Sequence, residues 1–139
     1  LPIGSVVNFS FQVLDTKDIF SNLSTLSITV SNKTLVEVPA GPITTSTTWT
    51  KNNIYLLKGF VRVGDDAKRP GGTDITGVTL TIEPGTVIFG DRETKGTLIV
   101  QRGNKINAVG TAEEPIVFTS ERAPGQRQPG DWGGLVIVG

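Results

Sequence analysis

The triplets Leu80-Thr81-Ile82, Leu98-Ile99-Val100 and Ile116-Val117-Phe118 follow one another at steps of 18 residues. Steps of 19 extend the register to Val61 and Val63 on one side and to Leu135 and Ile137 on the other. Gly85 and Gly103, and Ile88 and Ile106, share the period. A fixed repeat of this length marks a stacked architecture, in which each unit is too short to bury its own apolar face and neighbours supply the core. The segments are rich in β-branched residues and bounded by Gly and Pro, so they read as strands. No ten-residue helical pattern separates them, which argues against alternating strands and helices.

The fold class expected is therefore all-β, a single-stranded parallel β-helix, or β-solenoid, of about five rungs of 18–19 residues. Rungs about 4.8 Å apart would give five a height of roughly 20 Å. A right-handed coil is expected from the twist of parallel strands, although an 18-residue coil also suits left-handed hexapeptide helices. Val61, Leu80, Leu98, Ile116 and Leu135 are predicted to form one inward stack, and Val63, Ile82, Val100, Phe118 and Ile137 a second.

Composition narrows the function. At 139 residues the chain holds one domain or slightly more. Seventeen Gly and eight Pro suit a fold of short strands and turns. Thirteen basic and thirteen acidic residues cancel, with no long basic run, so neither nucleic acid nor an anionic membrane is indicated as partner. The absence of Cys excludes disulfides and thiol chemistry, and the absence of His removes the commonest metal ligand and general base. No apolar run approaches the roughly 20 residues of a membrane span. The chain starts at Leu1 and contains no Met, so it is expected to be a piece of a longer one. The apolar Leu135-Val136-Ile137-Val138-Gly139 would then be covered by a further rung or by another chain.

Before the repeats, Ser5 to Asp15 and Thr25 to Val30 alternate apolar and polar residues. They predict an antiparallel pair over residues 1–40, with a turn near Asp18-Ile19-Phe20 between them, as the end of an immunoglobulin-like sandwich or as a cap. Val36-Glu37-Val38 closes this region, Pro39 and Pro42 punctuate, and the solenoid is expected over residues 41–139. Trp49, Tyr55 and Phe60 are predicted to plug its open end. The excursions Gly64 to Gly77 and Glu121 to Gly130 both leave after a strand. On the 18-residue register they leave at the same point of the cross-section, stacking Lys68, Arg69, Arg122 and Arg127 into one candidate ligand-binding patch.

Several segments together carry a resemblance. They are Thr47-Thr48-Trp49-Thr50, Tyr55 to Val61, Leu80 to Ile88, Gly96 to Val100, Ile106 to Ser120 and Gly130 to Leu135. Over about residues 44 to 139 the chain resembles the secreted or lipid-anchored parallel β-helix surface proteins common in Bacteroidetes. The resemblance implies an extracellular or outer-surface location and immunoglobulin-like modules ahead of the helix. It carries no catalytic motif.

Parallel β-helices that cleave acidic polysaccharides need carboxylates that bind calcium and a basic residue on one face. The candidate acids are Asp65-Asp66, Asp91 with Glu93, Glu113-Glu114 and Asp131. None fits a calcium-loop pattern, and adjacent strand residues point to opposite faces. Gly90 to Gly96 reads as a charged turn without the spacing of a phosphate loop. Asn8, Asn22 and Asn32 each open a glycosylation triplet. The expectation is a non-catalytic surface protein: a stalk, an adhesin or a glycan-contacting scaffold, with no metal or cofactor. The alternative is the N-terminal part of a carbohydrate-active β-helix enzyme whose catalytic coils lie beyond residue 139. The partners expected are a surface glycan or protein, or a strand added at the Ile137 edge.

Overall fold

The computed structural model describes residues 6–11, 24–29 and 32–139. The expected turn near Asp18 and the Asn22 triplet lie outside them. The chain divides into two compact units, residues 1–33 and 34–139. In the first, β1 (Val6–Phe11) and β2 (Ser24–Thr29) form an antiparallel pair, with Phe9 opposite Leu26 and Val7 opposite Ile28.

The second unit is a parallel β-helix with three strands to a coil. Its first coil holds β3 (Thr34–Val38), β4 (Gly41–Ile43) and β5 (Thr47–Trp49). The next holds β6 (Asn53–Leu57), β7 (Phe60–Val63) and β8 (Thr79–Ile82). The third holds β9 (Val87–Gly90), β10 (Thr97–Val100) and β11 (Lys105–Ala108), and β12 (Val117–Ser120) and β13 (Gly134–Ile137) belong to the fourth. Strands one coil apart pair in parallel, giving a first sheet β3-β6-β9-β12, a second β4-β7-β10-β13 and a third β5-β8-β11. Because β3 pairs along its length with β6, Val36-Glu37-Val38 opens the solenoid instead of closing the region before it. Among the described residues no helix is long and apolar enough to cross a membrane.

The parallel β-helix is as expected, but its period is not. Leu98 lies beside Val61 and Leu135, and Val100 beside Val63 and Ile137, so the step within the second sheet is 37 residues. Leu80 and Ile82 belong to the third sheet, where they neighbour Ile106 and Ala108. Phe118 sits in the first sheet beside Ile88, and Ile116 immediately precedes the same strand. Each predicted stack of five is thus divided among three sheets, and the solenoid has four coils over residues 34–139 in place of five rungs. The physical reason is that a coil bends at three corners. Apolar segments 18 or 19 residues apart then fall on different sides of the prism, and only every second step returns to the second sheet.

Inward side chains close the core. Leu57, Val61, Val63, Leu80, Ile88, Leu98 and Val100 are each at most 1% exposed and form one apolar cluster with Trp49, Tyr55, Val78 and Ile82. Trp49 and Tyr55 stack with ring centroids 4.6 Å apart and planes at 13°. The Tyr55 hydroxyl accepts from the backbone N–H of Thr50 at 2.9 Å, so this polar tip of the stack is satisfied. Phe60 departs from the expected plug. It occupies an outward position of β7 and is 59% exposed.

Corners turn tightly where glycine permits it. Gly85, after Pro84, has φ of 82°, and Gly103 has φ of 73°, in the left-handed region that a side chain disfavours. Gly90 serves packing instead: a methyl group there would overlap the Trp132 side chain.

Val100 is 1% exposed between Val63 and Ile137. Val100→Asp therefore buries an unpaired carboxylate and should cost several kcal/mol in denaturant unfolding. A variant that unfolds at the parent's midpoint would refute the inward placement.

Candidate functional site

The corner joining the first sheet to the second lengthens along the solenoid. It holds two residues after β3, two after β6, six after β9 and thirteen after β12. The ladder on either side keeps its register throughout. Loops that grow at one corner while the core repeats are where such a fold presents polar chemistry.

Two buried carboxylates organise this corner. Asp91 is 3% exposed. Its Oδ1 accepts from Lys58 Nζ at 3.0 Å, across one coil. Its Oδ2 accepts from the Thr94 N–H at 2.8 Å and from the Thr94 hydroxyl, closing the turn from residue 91 to 96. These donors, Thr94 first, hold the Asp91 carboxyl down at about 2 despite its burial, and the same pair raises Lys58. Asp131 is 4% exposed. Its Oδ2 accepts from the Gln128 N–H at 3.0 Å and from Ser120 Oγ at 2.8 Å. The Gln128 N–H foremost, then Ser120 and the guanidinium groups of Arg122 and Arg92, hold its carboxyl below the ordinary range.

The two loops are strapped together. The Arg92 N–H donates to Glu121 Oε1 at 2.9 Å, and the Lys95 ammonium donates to the Gly130 carbonyl. The Gly133 N–H donates to the Gly96 carbonyl at 2.9 Å. Between them opens a cleft of about 440 Å³ lined by Asp91, Arg92, Glu93, Lys95 and Glu121. A second hollow on the same corner is lined by Glu37, Pro39, Ala40, Lys58, Gly59 and Thr94.

The four cations singled out from the sequence do not meet. Gly64 to Gly77 leaves the second sheet after β7, whereas Glu121 to Gly130 leaves the first sheet after β12. The two excursions therefore emerge from different corners. At the corner after β7, Arg69 binds Asp65 with Nε at 3.1 Å and NH2 at 3.1 Å. Arg62 Nε donates to the same carboxylate at 3.2 Å, and the Thr73 N–H at 2.9 Å. Arg69 foremost, with the Thr73 N–H, drives the Asp65 carboxyl far below its ordinary value. Lys68 remains exposed on that loop. At the other corner Arg122 faces Asp131, and Arg127 donates from Nε to the Arg122 carbonyl at 2.9 Å while lying 6.0 Å from the Phe89 ring centroid.

Sequence reasoning missed Arg92, Lys58 and Asn104. Asn104 Oδ1 accepts from the Val78 N–H at 2.9 Å, and its Nδ2 donates to the Ile75 carbonyl at 3.0 Å and the Arg102 carbonyl at 2.9 Å, tying the long excursion to the next coil. The Asp-x-x-Thr spacing of residues 91 to 94 was the one available signal, since an Asp commonly accepts from a backbone N–H a few residues on. Glu114 pairs with Lys51 at 3.1 Å on the surface of the third corner. Among the described residues no three carboxylates gather where one metal ion would fit.

The depressed carboxyls predict a pH response of definite sign. Unfolded aspartates take up protons near pH 4, and Asp91 in the folded chain only near pH 2. The stability these groups contribute is present above about pH 4 and is lost as pH falls toward about pH 2. The melting temperature should drop steeply across that window, less so in Asp91→Asn. A melting temperature level down to about pH 2 would refute the loop-anchoring role.

Comparison with known proteins fits this geometry. A family model described as a pectate-lyase-like beta helix domain matches residues 41–139. No curated protein matches the chain, and no solved structure does. The match spans β4 to β13 and takes in both loop-bearing corners, so the chain belongs to the family of pectate-lyase-like beta helix domains.

Proposed function

We propose that this chain is a non-catalytic scaffold from an extracellular surface protein, and that its growing corner contacts glycan. The observation that carries this reading is the state of Asp65, Asp91 and Asp131. Each is buried, each binds loop donors, and each is held below the ordinary carboxyl range. A general acid needs the opposite shift, a carboxyl raised toward the working pH. These three instead stiffen the loops from which outward polar groups project. The family description favours a second reading: a carbohydrate-active enzyme that uses these coils as a platform for catalytic residues elsewhere in a longer protein. The free edge of β13, with Ile137 64% exposed, is a further proposed contact for an added strand or partner.

The full chain incubated with a panel of plant and bacterial polysaccharides separates the readings. The scaffold reading expects retention of at least one glycan without new chain ends. It also expects retention to fall about tenfold when the excursion from residue 121 to 130 is replaced by a Gly-Ser linker of equal length, roughly the loss of one good charge-assisted contact. Shortened polysaccharide would overturn it in favour of the enzyme.

A further inference from the structure

The first sheet is apolar on both faces. Tyr55, Leu57, Ile88 and Phe118 belong to the core or pack against it, so alternation turns the residues beside them outward. The register sets Leu35, Ile54, Val87 and Val117 in one outer column, and Glu37, Leu56, Phe89 and Thr119 in the next. Leu35 is 55% exposed and Val117 37%, with Ile54, Val87 and Phe89 half-buried between them. The outer face of the third sheet is built differently, from Thr48, Thr79, Thr81, Lys105 and Asn107. A parallel sheet with two apolar faces is normally covered on both.

Opposite charges stand at the two ends of this face. Glu37, on the first coil, is exposed and joins no ion pair among the described residues. Lys58, which lines the same hollow, is held by Asp91. Arg127, from the excursion after β12 on the fourth coil, is exposed and lies 6.0 Å from the Phe89 ring centroid.

We propose that the outer face of the first sheet is the contact between two copies of this chain, packed front to front about a two-fold axis parallel to the strands. That axis reverses the order of the coils. Leu35 then meets Val117 of the second copy, Ile54 meets Val87, and Leu56 meets Phe89. Glu37 comes beside Arg127 of the second copy, and the symmetry makes this pair twice. A two-fold axis along the solenoid instead presses Glu37 onto Leu35 and leaves both charges unpaired, so the first arrangement is the complementary one. The four strands cover about 250 Å² per copy, well below the roughly 800 Å² of a standard interface. The dimer is therefore weak, with a dissociation constant of about 10 µM to 1 mM. It does not depend on what the growing corner binds.

Sedimentation equilibrium of the full chain from about 5 µM to about 1 mM tests this. A monomer–dimer equilibrium is the expected result. Val87→Lys sets two ammonium groups against apolar columns and should weaken the dimer at least about tenfold, with the melting temperature kept because Val87 faces outward. Glu37→Arg and Arg127→Glu should each weaken it about tenfold, and the two combined should restore the parental constant. Both residues are exposed, so these variants keep the fold. A monomer at every concentration overturns the proposal, as does a dimer unchanged by all of these variants. A dimer lost only in Ile137→Lys assigns association to the β13 edge and overturns it as well.

Discussion

Parallel hydrogen bonding between strands one coil apart is the constraint on which everything else rests. It fixes Val61, Leu98 and Leu135 in one column and Val63, Val100 and Ile137 in the next. A single coil of three short strands shields little apolar surface by itself. Each column excludes water only because the coil beside it continues the column, so register and burial are the same requirement. The corners must then absorb every difference in chain length between coils, since a slip of one residue would turn Leu98 outward.

Electrostatics takes over where aliphatic packing stops. Asp65, Asp91 and Asp131 sit just past a strand end or at the far end of an excursion, buried but each supplied with loop donors. A buried carboxylate is costly without such partners. With them it gathers backbone N–H groups that would otherwise lack acceptors and gives a loop of six or thirteen residues one geometry. Asn104 does the neutral equivalent at the corner after β7.

The strands were legible in the sequence because β-branched runs bounded by Gly and Pro leave few alternatives. Leu80, Leu98 and Val100 are buried as expected. Which strands are neighbours was not legible at the same level. The 18-residue spacing of Leu80, Leu98 and Ile116 is real, yet each of its steps passes over an intervening strand, β9 and then β11, and ends on a different sheet. Weakly apolar strands such as Lys105–Ala108 and Thr47–Trp49, which complete the third sheet, gave no signal strong enough to reveal three sides. The charged corner escaped for the same reason. Lys58 and Asp91 are 33 residues apart, and only knowledge of the coil brings them together. Phe60 shows the limit from the other direction: aromatic character suggests burial, but alternation along β7 turns this residue outward.

The Trp132 side chain lies against Gly90, where a methyl group would overlap it. Two turns of chain forty-two positions apart therefore share one small volume, and the smaller partner can change only if the larger one also changes. Kindred sequences should treat the two sites as a linked pair, with a bulkier side chain at the first accompanied by a slimmer one at the second.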